Sequence, residues 1–498
     1  MRRLLSLLAA AALVLSLAAC GGGETPPSSS QPPGQQEEQP SAVPFSLAVY
    51  SEYSIHPVLS ESRTNLILSG LLYEPLFLVD ESFQAVPVLC SQAVMSEDGL
   101  SWTFTLRSGV TFSDGTPLTG ETAAAALELA RGEGSRYAQR LQDVTAITYE
   151  ENSLTITLSQ PNGALPLLLD IPIALGEGER PLGTGPYVLL EEEDNLSLAL
   201  RSGWWQDKAM PVQEIPLRAI SKSDQLISAF DAGDVSLAET DLMGTNALGY
   251  SSSCQTWDYP TTDLLYLGFN TQKGLCRSSQ VRLALALTVD RSAMVQVDFA
   301  SHAAAAPLPV HPNSSLYSDN LAGALAYDPE QAVTRLEEAG ALGQELTLLV
   351  NSENTAKVNA AQRLAQQLEA AGMEVTLSKL PFDEFTAALT QGSFDLYLGE
   401  VVLTADFDLS PLLSSQGSLN YGGWSNVETD SFLTQLKSAP QEQRAAAAAG
   451  LFSHLNSQVP LVPICFKNGS VLTQWGRLSG LTPLRSNVFY QMENWTIS

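Results

Sequence analysis

The stretch from residue 346 to residue 377 constrains the fold more than any other part of the chain. Leu346, Leu348 and Val350 fall at every second position, the spacing of one face of a strand. Val358, Ala361, Ala365 and Leu368 then recur at steps of three and four, which lines one side of a helix, and Gly372 ends it. Val375 and Leu377 resume the alternation. Strand, helix and strand in this order form a crossover that joins parallel neighbours. A further helix near Asp383–Leu389 and a strand at Phe394–Leu398 extend the series. Helices then cover both faces, so the expected class is α/β with a mainly parallel sheet.

The flanking sequence carries its own punctuation. Trp102, Phe104 and Leu106 alternate with Thr103, Thr105 and Arg107, as do Leu154, Ile156 and Leu158 with their neighbours, so both stretches read as half-buried strands. Ser113-Asp114-Gly115 reads as a turn, and Thr119 as the cap of a helix through Ala123 to Leu129. Gly183-Thr184-Gly185-Pro186-Tyr187 is a second turn. It lacks the third glycine of a phosphate loop, and Pro186 removes a backbone donor. Leu264–Phe269 reads as a strand, followed by a helix through Val281, Ala284, Leu285 and Thr288. Asp328-Pro329-Glu330-Gln331 opens a helix with a cap, a proline in the first turn and Gln in the capping-box position. Ala332, Leu336 and Ala339 form its apolar stripe, and Gly340 stops it.

The N-terminus carries a different signal. Arg2 and Arg3 precede an apolar run from Leu4 to Leu17, which Leu17-Ala18-Ala19-Cys20 closes with small residues. The run is shorter than the ~20 residues a membrane span needs and reads as a removable secretory signal. Leu-Ala-Ala-Cys resembles the lipobox of bacterial lipoproteins, which implies that Cys20 is acylated and becomes the mature N-terminus. The alternative is an ordinary cleavage site beside a chance cysteine. Residues 21–44 are Gly, Pro, Ser, Gln and Glu with little to bury, the composition of a disordered tether. As a coil it spans on the order of 25–30 Å. No later apolar run is long enough to span a membrane.

About 450 residues remain, enough for two or more domains. The formal charge is −29, and losing Arg2 and Arg3 makes it −31, 23 basic against 54 acidic residues. Nucleic acid and anionic membrane surfaces are therefore poor partners for the body. Cys90, Cys254, Cys276 and Cys465 could form two disulfides in three connectivities or remain buried thiols. The histidines His56, His302, His311 and His454 show no metal-ligand spacing, so neither a metal site nor a cofactor is expected.

A family resemblance rests on a series of short stretches in fixed order. They are Leu71-Leu72-Tyr73-Glu74-Pro75-Leu76, Val86-Pro87-Val88-Leu89, Ser96 through Arg107, Val110 through Thr119, and Gly183 through Tyr187. After them come Phe269-Asn270-Thr271, Val281-Arg282, Asp290-Arg291, Tyr327 through Gly340, Thr404-Ala405-Asp406-Phe407 and Trp424 through Asp430. Across about residues 45–490 this resembles the family 5 extracellular solute-binding proteins, the peptide, dipeptide and nickel binders of ABC importers. The resemblance implies a two-lobed α/β clamp of the periplasmic-binding-protein type (type II), with a subdomain inserted in the first lobe at about residues 75–175. Residues 45–260 would form lobe one, 261–473 lobe two, and 474–498 a return to lobe one. The chain would cross near Tyr259–Asp263 and near Thr473–Trp475. Expected partners are a peptide or other small solute and the permease subunits, with a monomer held by lipid on the extracytoplasmic face of the membrane.

Three departures leave the ligand open. Ile55-His56-Pro57 stands where the family often has Leu-Asp-Pro, Leu403-Thr404 replace a Trp and a small residue before Ala405-Asp406-Phe407, and Cys90 through Val94 lack a usual Trp. By motif position Asp406 matches the carboxylate that pairs with a peptide's ammonium group in relatives. It could instead cap a helix beginning near Leu409, as could Asp408. Trp424, ahead of a capping box at Ser425-x-x-Glu428, could stack on a ligand or belong to the lobe core. No Gly-x-Ser-x-Gly, His-Glu-x-x-His or Walker loop occurs, and Asp406 with Asp408 is a poor basis for a glycosidase pair in so acidic a chain. The reading is a binding protein and not an enzyme. Alternatives on the same scaffold are a metal chelate, an oligosaccharide, or a signalling role that presents ligand to a receptor.

Overall fold

The computed structural model describes residues 44–193, 195–245 and 247–498. The signal segment, Cys20 and the tether up to residue 43 lie outside the described residues. Among the described residues no helix is long and apolar enough to cross a membrane.

The crossover unit forms as its spacing dictates. Glu345–Asn351 and Glu374–Leu380 are parallel neighbours, joined by the helix Thr355–Ala370. Asn354 caps that helix by accepting from the Lys357 amide, and Gly372 takes a positive φ of 92° beyond its end. Asp328 and Thr119 cap the helices Pro329–Glu338 and Gly120–Arg131 as their sequences indicate. One cap differs: Asn426, not Ser425, accepts the Thr429 amide and starts the helix Val427–Ser438.

The sheet around the crossover has seven strands and is mixed rather than mainly parallel. Its order is Leu237–Thr240, Leu461–Gln474, Cys254–Phe269, Leu396–Val402, Glu345–Asn351 and Glu374–Leu380, with Ala303–Ala305 also on the second of these. Only the pairs made by Glu345–Asn351 are parallel. Strands Cys254–Phe269 and Leu461–Gln474 run antiparallel to each other, a pairing about 200 residues apart that local alternation cannot reveal. Leu265, Leu267 and Phe269 face one apolar layer with Leu285, Leu336 and Leu364. Leu264 and Tyr266 face the other with Phe452 and Phe466.

A second, four-stranded sheet holds Leu47–Tyr50, Glu214–Ile220, Asn195–Leu200 and Tyr187–Glu192. Its core includes Tyr259, Val471, Phe489 and Trp495, so the two long strands enter this core as well as the first. The molecule thus has two lobes sharing one pair of strands. Where the strands pass between the cores the ladder slips, between Pro260 and Asp263. Pro260 has no amide hydrogen to give. Thr261 and Thr262 instead donate their hydroxyls to the carbonyls of Lys467 and Leu403. The turn at Gly183–Tyr187 packs against the helix Ser69–Leu72. A Cβ on Gly183 would lie 1.9 Å from the Leu72 carbonyl oxygen, which explains the glycine better than any turn type does.

A four-stranded antiparallel sheet, Cys90–Met95, Ser101–Leu106, Ser153–Leu158 and Val144–Glu150, carries the helix Gly120–Arg131 over its own core. The neighbouring turn at Asp80–Gln84 reaches across to the seven-stranded lobe. Phe83, buried at a positive φ of 57°, packs edge-on against Phe407 at 4.9 Å and beside His311 at 5.0 Å. Lys437 adds an ion pair to Asp143 at 2.7 Å, and its carbonyl accepts from the Gly163 amide. Cys90, Cys254, Cys276 and Cys465 are all unpaired thiols, and all but Cys254 are buried.

Candidate functional site

A cavity of about 500 Å³ opens where the two long strands slip. The first lobe contributes several residues between Pro57 and Ser69, among them Glu61 and Arg63, with Arg136, Tyr137, Arg140, Asp170, Asp241, and Arg485–Val488 near the C-terminus. The strand slip contributes Tyr259, Thr261, Thr262 and Asp263 with Asn468 and Gly469, and the second lobe adds Val402.

The two ends of the cavity differ in charge. At the slip, Lys467 is buried with its ammonium 3.0 Å from Asp241, 3.0 Å from Asp263 and 2.6 Å from Glu400. Lys357 sits on the other Glu400 oxygen at 3.1 Å. Three carboxylates face two lysines, so with all three ionised this end carries one surplus negative charge. Burial pulls the Lys467 pKa down, but Asp263, Glu400 and Asp241 outweigh it and hold the pKa above the ordinary lysine value. Burial, and then Glu400, push Asp263 up to about 7 against the pull of Lys467. Beside this cluster Arg63 donates two hydrogen bonds to Glu239, which also accepts from the Tyr259 hydroxyl at 2.7 Å.

The opposite end is cationic. Arg140 and Arg485 share the buried Asp170 carboxylate, Arg485 at 2.6 Å. The guanidinium groups of Arg140 and Arg136 lie over the Tyr137 ring at 4.9 and 5.5 Å. Three arginines against one carboxylate leave two positive charges.

Among the described residues, four buried polar atoms of the lining residues have no protein partner: Ser69 Oγ, Asp263 Oδ1, Arg485 Nε and Ser486 Oγ. Native interiors leave few such groups unpaired, because each costs about 1–3 kcal/mol. All four lie just beneath the cavity wall, closed off from water.

The residues singled out by sequence lie elsewhere. Asp406 is buried among Phe407, Leu433, Leu436, Lys437 and Arg444, in a crevice of about 10 Å³ that does not join the cavity. Its carboxylate accepts from the Thr404 hydroxyl, while Arg444 donates to its backbone carbonyl. Burial, then Asp408, raise its pKa. Neither carboxylate caps the short helix Ser410–Leu413, whose N-cap is Leu409 with no side-chain capping bond; Asp408 only accepts the Ser410 amide at 2.8 Å. Trp424 lies in the second-lobe core, donates to Thr429 Oγ1 at 3.1 Å and has Arg282 over its ring at 5.3 Å. Sequence reading missed Arg136, Arg140, Arg485, Asp241 and Asp263. The one local hint was three arginines within residues 131–140 of an otherwise acidic chain.

Residues 84–422 match the family model described as bacterial extracellular solute-binding proteins, family 5 Middle. The glutathione-binding protein GsiB of Escherichia coli strain K12 is 26% identical over 425 residues, covering 79% of this chain and 82% of GsiB. Among solved structures, HbpA2 from Haemophilus parasuis superposes with a TM-score of 0.76 at 18% identity, covering 91% of this chain and 99% of that one. The unliganded open form of the periplasmic murein tripeptide-binding protein MppA also gives 0.76, at 21% identity over 92% and 98%.

Proposed function

The chain belongs to the family 5 bacterial extracellular solute-binding proteins, binding subunits of ABC importers for peptides or related solutes, and we propose that it captures short peptides in the cavity between its lobes. The carrying observation is the bipolar charge of the cavity, carboxylate-rich at the strand slip and arginine-rich at the opposite end. A peptide brings an ammonium and a carboxylate on one backbone, so it answers the surplus negative charge beside Asp263 and the surplus positive charge beside Arg485 together. Desolvated ion pairs of this kind are favourable only when both partners are present, which excludes neutral solutes. GsiB, whose name states glutathione, supports a small peptide as the class. An oligosaccharide fits less well: among the described lining residues only Tyr137 and Tyr259 are aromatic.

The ammonium contact in this reading is the Asp263–Asp241 end and not Asp406. The hinge is the strand slip, Tyr259–Asp263 on one strand. On the other it is Lys467–Gly469, which pairs with those residues, rather than Thr473–Trp475. Residues 45–260 with the C-terminal segment then move against the rest, and a ligand touching both sides stabilises closure. Family members are transport-associated binding proteins and not enzymes.

Mass spectrometry of ligand released by denaturing the purified protein tests the class. Short peptides are expected, and a sugar or a metal chelate would overturn the reading. Cys20 is proposed to carry the lipid anchor, since two acyl chains hold stably where one does not. Cys20→Ser should release the protein from membranes, and unchanged retention would refute the anchor.

A further inference from the structure

We propose that His302 and Asp258 form a proton-controlled brace across the hinge, which holds the lobes in contact more firmly as pH falls. His302 Nδ1 lies 2.8 Å from Asp258 Oδ2, and the two residues belong to opposite sides of the strand slip. Asp258 stands between Trp257 and Tyr259, which pack in the first-lobe core, two residues before Pro260. His302 precedes the strand Ala303–Ala305 and follows Phe299, which is buried in the second-lobe core. Its backbone is fastened on that side. The His302 amide donates to the Phe299 carbonyl at 2.7 Å, and its carbonyl accepts from the Asn468 amide at 3.0 Å. Ser470 Oγ holds the other Asp258 oxygen at 2.7 Å. The segment leading to His302 is strained. Ala300 and Ser301 take positive φ values of 47° and 68°, a left-handed region that is unfavourable for residues with a Cβ. Strain of this kind persists only where the surrounding structure holds it, and it concentrates at functional and switching segments. Neither His302 nor Asp258 lines the interlobe cavity, so the brace acts apart from any ligand contact. In the braced arrangement Phe83 of the first lobe already touches Phe407 of the second.

Imidazole side chains change charge between pH 5 and 8, and the cationic ring bonds a carboxylate more strongly than the neutral one. The braced arrangement therefore takes up a proton more readily than one with the lobes apart, so acid favours it and base releases it. Charged groups on the elements packed around His302 have partners of their own. Asp298 on the preceding helix pairs with Arg363, Lys467 on the neighbouring strand with Asp241, Asp263 and Glu400, and Glu239 on the strand beyond with Arg63. The His302 and Asp258 side chains are 24% and 27% exposed, which sets the size of the effect. The ratio of closed to open molecules should rise about two- to fivefold from pH 8 to pH 5.5, the range of a partly exposed ion pair.

Single-molecule energy transfer in the ligand-free protein reads that ratio, so the outcome does not depend on the peptide reading. The dyes sit on Tyr149→Cys in the first lobe and Val427→Cys in the second, both exposed positions. Cys254, the one thiol among the described residues that is not buried, is replaced by Ser. Asp263, at about 7, titrates over the same range. The informative quantity is therefore the difference between the parent and His302→Gln, which keeps a donor for Asp258 and cannot gain a proton. His302→Gln should lose the two- to fivefold component, and Asp258→Asn should lose it as well. Equal pH profiles in the parent and either variant overturn the brace, as does a difference of opposite sign, with acid opening the parent.

Discussion

Asp263→Asn puts the charge count at the hinge to a direct test. Three carboxylates face two lysines there, and Asp263 is the member with an unpartnered buried oxygen. Its carboxyl binds a proton more tightly in the folded protein than in the unfolded chain, about 7 against the ordinary 3.8. A pKa raised on folding contributes stability that is complete below about pH 4 and lost as pH rises through about 7. At pH 8 the ionised Asp263 therefore weighs against the fold. The gap between the folded and unfolded values sets an upper bound of about 4 kcal/mol on that effect. Asn mimics the protonated acid and leaves two carboxylates on two lysines. We expect the ligand-free variant to be more stable than the parent by about 1–4 kcal/mol at pH 8 and about equal to it at pH 4. Urea unfolding at the two pH values measures this. The variant should also bind peptide more weakly at pH 8, because the charge that costs stability is the one a ligand ammonium meets. A variant less stable than the parent at pH 8 would show that Lys467 needs all three carboxylates, and the surplus-charge argument would fall.

Two further outcomes follow from placement. Asp406→Asn should leave peptide affinity within about twofold of the parent, because its crevice does not reach the cavity and distant sites act independently; calorimetry showing a loss of 30-fold or more (about 2 kcal/mol) would restore the ammonium role to Asp406. Phe83→Ala should cost about 3–5 kcal/mol, the range for a buried aromatic, because Phe83 bridges the Asp80–Gln84 turn to Phe407 and His311. It should also widen the ligand-free molecule in small-angle scattering, and an unchanged profile would show that this contact does not hold the lobes together.

Local sequence determined the elements whose causes are local. The crossover at 345–380 and the caps at Thr119 and Asp328 follow from spacing and from side chains three residues apart. The family came from a resemblance carried by short stretches in fixed order, from Leu71–Leu76 to Trp424–Asp430, and not from spacing. Tertiary structure alone decided the pairing of Cys254–Phe269 with Leu461–Gln474, and with it the site. Alternation shows which face of a strand is buried and says nothing about its neighbour, so a mainly parallel sheet was expected and a mixed one formed. The charge network has the same origin. Lys467 meets Asp241, Asp263 and Glu400 at the strand slip, and Arg485 meets Asp170 at the other end of the cavity, only because segments far apart in the chain converge there. Asp406 and Trp424 show the converse. A motif position marks a residue type, but whether a carboxylate faces a cavity or a core depends on helices packed over it, here Val427–Ser438 and Arg444–Gln458.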